Sequence, residues 1–375
     1  MWRVFSKLAL SAGAAALTVL ATVLAIKATM ALAGLRDQAF RYENQIGMWG
    51  LHPRLGFANK TSFSAVCFGT VSVETDARGY RKPSRTSPAS QPSECLIGIG
   101  DSVMWGTGTD EADSFLGLLR EPLASRSPPL RLINAGVVGF ATYQERLLLE
   151  HDILPLDPAI VLLNYGINDI LPTEDPFGSV RAIYDSYVAR LLQDENQGSF
   201  ANPGDREQLA ALRDALNRPD EIWPWLEKLP PPAYDALARY LVDKPLLEMA
   251  SLCRANGIRF ILLLIPPRDP DERFGRQVKR VRATLDRQRI EYLDLTAELT
   301  PPLTPEPRER RAVSWLRFLR RTPLRGIEAL MQWRELEHRQ EHELFLDHCH
   351  PTRRGNRIIA AAILRYLESH SGGWR

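Results

Sequence analysis

Five short apolar runs, Cys95–Ile99, Leu130–Asn134, Ala159–Asn164, Ile258–Ile265 and Ile290–Leu295, interrupt an otherwise mixed chain. Each has the length and continuity of a strand buried on both faces. Between them, apolar positions recur every three or four residues over Ser114–Leu123, Thr142–His151, Leu246–Ala255 and Arg273–Arg289. A final stretch of this kind, Gly355–Ser369, predicts one more amphipathic helix. Strands alternating with such helices predict a parallel sheet with helices on both faces.

Two segments break the alternation. Residues 172–243 are helical in pattern, contain "LPPPAY", and are too long for a plain crossover. Residues 304–339 are rich in Arg and Trp. Both are read as insertions over one face or rim of a core domain spanning 95–375. Ahead of that domain, residues 35–94 read as an extended lead-in with alternating pieces such as "VSVET" (Val71–Thr75). The lead-in ends in the Ser- and Pro-rich linker "RKPSRTSPASQPSE".

Residues 1–34 have a different character. Leu8–Ile26 is a run of nineteen residues without a charge, bounded by Lys7 and Lys27. At about 1.5 Å rise per residue this matches a hydrocarbon core of about 30 Å. The expectation is a single transmembrane anchor with a cytoplasmic N-terminus and the rest of the chain outside the cytoplasm, the periplasm in a bacterial setting. "ALAG" (Ala31–Gly34) offers the alternative of a cleaved signal peptide, but the apolar run is long for one.

Composition narrows the classes. With 47 Lys+Arg against 45 Asp+Glu, nothing global points to a nucleic-acid partner. The four cysteines, Cys67, Cys95, Cys253 and Cys349, lack C-x-x-C spacing, which argues against a zinc ribbon. In an oxidising compartment Cys67 and Cys95 can pair; Cys253 reads as a buried free thiol.

The chemistry starts at "IGIGDSVMWG" (Ile97–Gly106), where the first core strand breaks into Gly-Asp-Ser. A Walker loop needs a lysine after its glycines, and none follows. The dinucleotide fingerprint fails at its third glycine, where Val103 stands, and Asp101 would repel a diphosphate. A serine nucleophile is the remaining reading, and it needs a base and an oxyanion site. "NAGVVGF" (Asn134–Phe140), ending the second strand, offers the Gly139 backbone N–H. "NYGINDI" (Asn164–Ile170), ending the third, offers the Asn168 side-chain amide. "FLDHCHP" (Phe345–Pro351) offers His350 as base and Asp347 to fix its tautomer.

These four blocks, in this order at strand ends, resemble the SGNH (GDSL) hydrolase family. The matches are Gly100-Asp101-Ser102, Gly139, Gly166-x-Asn168-Asp169 and Asp347-x-x-His350-Pro351. The resemblance covers roughly 95–169 and 258–367; the two insertions have no counterpart in the minimal family fold. "HPRLGF" and "TDARGYR" (within His52–Arg81) loosely resemble the lead-in of membrane-anchored members. The resemblance implies a three-layer α/β/α fold with a parallel, flavodoxin-like five-stranded sheet. It also implies Ser102 as nucleophile, His350 as base, Asp347 as its orienting partner, and an oxyanion hole of the Ser102 and Gly139 N–H groups with Asn168. No cofactor and no metal are implied.

The expected activity is acyl-ester hydrolysis outside the cytoplasm, on O-acylated envelope glycan or lipid. The alternatives are an O-acyltransferase of exopolysaccharide modification, action on thioesters or lysophospholipids, and a non-catalytic glycan-binding or assembly module. A rival metal reading rests on "HRQEH" (His338–His342), which fits H-x-x-E-H. Only thirty-three residues follow it, too few for a distant third ligand, and its charge suits a solvated helix face. Seven arginines between Arg308 and Arg325, interleaved with Trp315 and Phe318, fit either a solvated helix or contact with anionic lipid or polysaccharide.

Overall fold

The computed structural model describes residues 20–22, 24, 47–67, 71–84, 94–166, 170–171, 176–193, 204–218, 222–270, 272–300 and 343–370. The chain forms two compact units, Met1–Ile46 and Gly47–Arg375. In the first, residues 20–22 and 24 are helical. Among the described residues no helix is long and apolar enough to cross a membrane. Apart from those four positions, the expected span Leu8–Ile26 lies outside them. Residues 304–339, the arginine-rich stretch and "HRQEH" also lie outside the described residues.

In the second unit the lead-in folds as two antiparallel hairpins. β1 (Trp49–His52) pairs with β2 (Gly56–Asn59), and β3 (Ser64–Cys67) with β4 (Val71–Glu74). Five parallel strands follow: β5 (Cys95–Ile99), β6 (Arg131–Asn134), β7 (Ile160–Tyr165), β8 (Arg259–Leu264) and β9 (Glu291–Asp294). Their spatial order is β6-β5-β7-β8-β9. Each coincides with one of the five apolar runs to within one residue at either end.

Among the described residues the α-helices of this unit are α1 (Ser102–Trp105), α2 (Phe115–Ala124), α3 (Thr142–Leu148), α4 (Val180–Gln193), α5 (Asp205–Leu216), α6 (Ile222–Lys228), α7 (Pro231–Ala238), α8 (Lys244–Ala255), α9 (Glu272–Gln288), α10 (Thr296–Leu299) and α11 (Arg353–Ser369). Strand side chains alternate between two cores, which makes three layers. Val161, Leu163 and Tyr165 of β7, with Leu262 and Leu264 of β8, meet Leu147 of α3, Met249 of α8 and Val281 of α9. Ile160 and Leu162, with Ile261 and Leu263, meet Leu119 of α2 and Ile359 and Ile363 of α11.

The first insertion joins the former layer. Tyr143 of α3 stacks on Tyr187 of α4 with ring centroids 3.8 Å apart and meets Tyr184 edge-on at 5.6 Å. Leu209, Leu212 and Leu237 extend the same core through α5 and α7. The lead-in is also covered: Phe57 enters that core, and Met48, Val71 and Val73 pack with Trp105 and Val138. Cys95 and Cys253 are buried free thiols. Cys95, buried within β5, is unbridged, so the Cys67–Cys95 pairing allowed by the sequence is not formed.

Candidate active site

At the carboxyl end of β5 the chain turns through Gly100 (φ 153°) into α1. A Cβ there would stand 1.8 Å from Asn164 Oδ1, so glycine alone lets the ends of β5 and β7 approach this closely. Asp101 caps α1: its Oδ1 accepts from the Val103 N–H over 2.8 Å and from Asn164 Nδ2 over 2.9 Å. Burial pushes the Asp101 carboxyl above its ordinary value, and the bonds from Asn164 and Val103 work against that rise. Gly106 (φ 83°) ends the turn in the left-handed conformation. Ser102 is thus the first residue of a one-turn helix on β5, the strand flanked by β6 and β7, where the order of the sheet reverses.

Asp347 and His350 reach Ser102 on a loop closed at its base. Phe345 and Pro351 form an antiparallel bridge, and the Leu346 N–H donates to His350 O over 2.8 Å. Thr352 then caps α11, its Oγ1 accepting from the Gly355 N–H over 3.1 Å. Within the loop, Asp347 Oδ1 accepts the Cys349 and His350 N–H groups over 2.9 and 3.0 Å. Asp347 Oδ2 lies 2.7 Å from His350 Nδ1, and His350 Nε2 lies 2.8 Å from Ser102 Oγ.

The electrostatics follow from this chain of contacts. Burial alone would lower the His350 imidazole, but the Asp347 carboxylate, together with the neighbouring Cys349, outweighs it and holds the ring well above its ordinary 6.5. Burial would raise Asp347; the charge and ring N–H of His350, with the two backbone donors, instead hold it far below the usual carboxylate range. The carboxylate accepts a hydrogen bond from Nδ1–H, which fixes the tautomer. In the neutral ring Nε2 is then free to accept from the Ser102 hydroxyl.

The end of β6 runs alongside the nucleophile turn. The Ala135 and Val137 N–H groups donate to Gly98 O and Gly100 O over 2.8 and 2.9 Å. Gly139 follows in a buried turn with φ 87°. Among the described residues neither its N–H nor that of Ser102 donates to a protein acceptor; the latter, at the start of a helix, has no intrahelical one. Asn168 and Asp169 lie outside the described residues, although β7, which leads to them, is anchored to Asp101 through Asn164.

Three buried residues that support this arrangement carried no role in the sequence reading. Asn134 Nδ2 donates to Met104 O and Trp105 O over 3.0 and 3.3 Å, while its Oδ1 accepts from the Gly136 N–H over 3.0 Å. Asn164 holds Asp101, and the Arg81 guanidinium donates to backbone carbonyls just after α1. The one signal available was position: both asparagines end a predicted strand, and Arg81 ends "TDARGYR". Trp105 packs under the site rather than facing it, 2 % exposed between the lead-in hairpins and Val138.

Asp347, Cys349 and His350 place donor atoms within 4.8 Å of one another. However, Cys349 Sγ is 3.8 and 3.9 Å from the two His350 nitrogens, nearly equidistant and so on the lone-pair axis of neither. Both nitrogens already face Asp347 and Ser102. The donor set therefore fits a proton relay better than a metal.

The sequence profile of the GDSL-like lipase/acylhydrolase family matches residues 99–358. No curated protein matches the chain. Among solved structures, a GDSL-like lipase from Bacteroides thetaiotaomicron is similar at 14% identity, over 76% of this chain and 92% of that one, with a TM-score of 0.37. An acetyl xylan esterase aligns at 16% identity over 72% and 98% of the two chains, TM-score 0.37. A psychrotrophic esterase from Pseudoalteromonas sp. aligns at 10% identity over 75% and 100%, TM-score 0.39.

Proposed function

The chain belongs to the GDSL-like lipase/acylhydrolase family and is thereby an ester-bond hydrolase; from that premise we propose that Ser102 is its nucleophile, His350 its base and Asp347 the partner that orients the base. The observation that carries this reading is the unbroken relay from Ser102 Oγ to His350 Nε2, and from His350 Nδ1 to Asp347 Oδ2, over 2.8 and 2.7 Å.

Ser102 Oγ attacks the acyl carbonyl as its proton passes to His350 Nε2. The new imidazolium faces the Asp347 carboxylate, which does not take the proton. The carbonyl oxygen, now negative, is held by the Ser102 and Gly139 N–H groups and the Asn168 amide. Collapse breaks the ester C–O bond, the departing alkoxide takes the proton from His350, and an acyl-serine remains. Water, deprotonated by His350, repeats the sequence and releases the acid.

We extend the proposal to compartment and substrate. The uncharged run Leu8–Ile26 supports a membrane anchor with the catalytic unit outside the cytoplasm, and that location favours an O-acylated envelope glycan or lipid as substrate.

Labelling the full-length chain with a fluorophosphonate tests the core of the reading. Wild type is expected to label, and Ser102→Ala not to; folded wild type that stays unlabelled refutes it. An acyl ester supplied with and without an oligosaccharide acceptor then separates hydrolysis from acyl transfer.

A further inference from the structure

We infer that Arg81, which precedes the segment matched by the family profile, is a positioning residue for the nucleophile: its guanidinium clamps the carboxyl end of the helical turn that carries Ser102. The inference rests on the reading of Ser102 given above.

A four-residue helix does not hold itself. One turn fixes many dihedrals for few hydrogen bonds, and its last carbonyls have no intrahelical donor. At α1 those carbonyls are buried and must find partners elsewhere. Asn134 Nδ2 serves Met104 O and Trp105 O, and Arg81 adds a second donor at Trp105 O and extends the hold to the carbonyls just past the turn. Nη1 donates to Trp105 O and to Gly106 O, the latter over 3.0 Å, and Nη2 donates to Thr109 O over 2.6 Å. The same guanidinium lies over the Trp105 ring, 5.2 Å from its centroid. A Cβ on Gly106 would stand 2.7 Å from Arg81 Nη1, so the glycine that ends α1 also makes room for the clamp.

Arg81 is itself held in register with the sheet. Its N–H donates to Asn134 O over 2.9 Å, and Asn134 Nδ2 shares Trp105 O with Arg81. Around them Met48, Val71 and Val73 of the lead-in pack on Trp105 and Val138. Asp101 therefore holds one end of α1 and Arg81 the other, while His350 arrives on a separate loop. A shift of α1 along its axis would move Ser102 Oγ away from His350 Nε2 without disturbing the His350–Asp347 pair. The catalytic unit thus begins in the lead-in, well before β5. Lysine cannot replace the clamp, because a point ammonium does not reproduce a planar fork spread over three carbonyls.

The test uses the full-length chain with Arg81→Ala and Arg81→Lys, followed by fluorophosphonate labelling of Ser102 and by kcat and KM on a short-chain nitrophenyl ester. A misplaced nucleophile costs about 10²-fold in rate, so Arg81→Ala should label and turn over about that much more slowly, with KM little changed. Arg81→Lys, which keeps the charge and loses the fork, should stay close to Arg81→Ala rather than to wild type. Methylguanidinium should restore labelling of Arg81→Ala where methylammonium at the same concentration does not, a selectivity that general loss of stability would not produce. Should Arg81→Ala fail to fold, folded Arg81→Lys decides the matter by its labelling rate. Wild-type rates in a folded Arg81 variant would overturn the clamp and leave Ser102 in place. Absence of Ser102-dependent labelling in wild type would overturn both.

Discussion

Asn164 Nδ2 donates to Asp101 Oδ1 over 2.9 Å, so the carboxyl end of β7 holds the residue just before Ser102. The contact exists because Gly100 has no side chain to fill the space between the two strand ends.

Two variants test that coupling. Asn164→Ala removes a donor from a buried carboxylate and should destabilise the fold by about 1.5–3 kcal/mol. Gly100→Ala forces a Cβ against Asn164 and should cost about 1–3 kcal/mol or more. Both are measured by chemical denaturation. A Gly100→Ala protein of wild-type stability would contradict that packing.

Activity and stability should respond to pH in opposite directions. His350 is raised in the fold, so its protonated form is the one stabilised. That contribution is complete below about 6.5, the ordinary histidine value, and fades as pH climbs through the higher folded value. Hydrolysis needs the neutral ring and should rise over that same window. Asp347→Asn removes the main group that raises His350. It should shift the acid limb of kcat/KM to lower pH and reduce kcat by about 10⁴-fold. An acid limb that stays put in Asp347→Asn would contradict the pairing.

The oxyanion donors make a separable prediction. Asn168→Ala should lose about 10²–10³ in kcat while melting as wild type does. An unchanged rate would remove Asn168 from the mechanism.

Chelation should leave Ser102 labelling intact, because both His350 nitrogens are occupied by Asp347 and Ser102. Activity lost to EDTA and regained with zinc would place a metal in the site.

Much of the core was legible because burial on both faces leaves a plain trace. All five residues of β5 are buried, and the apolar run Cys95–Ile99 coincides with the strand residue for residue. The helix over Thr142–His151 was visible from its stripe, but its last turns widen into a π-helical turn at Leu149–Ile153 that no spacing rule announced. The lead-in looked merely extended, and its pairing into two hairpins came from partners outside each strand.

From the sequence alone came the order of strands and helices, the serine turn, and the residue types for a base and its orienter. Those are local properties: periodicity, glycine at a turn, an Asp three residues before a His. Tertiary structure decided the rest. It brought His350 to within 2.8 Å of Ser102 across 248 positions of chain, kept Cys95 as a free thiol, and put Trp105 beneath the site. It also gave Arg81, Asn134 and Asn164 their work, because the groups they satisfy are backbone carbonyls and a carboxylate contributed by other segments. A side chain's partner across the fold leaves no periodicity in the sequence, and so these contacts emerge only when the strands are laid side by side.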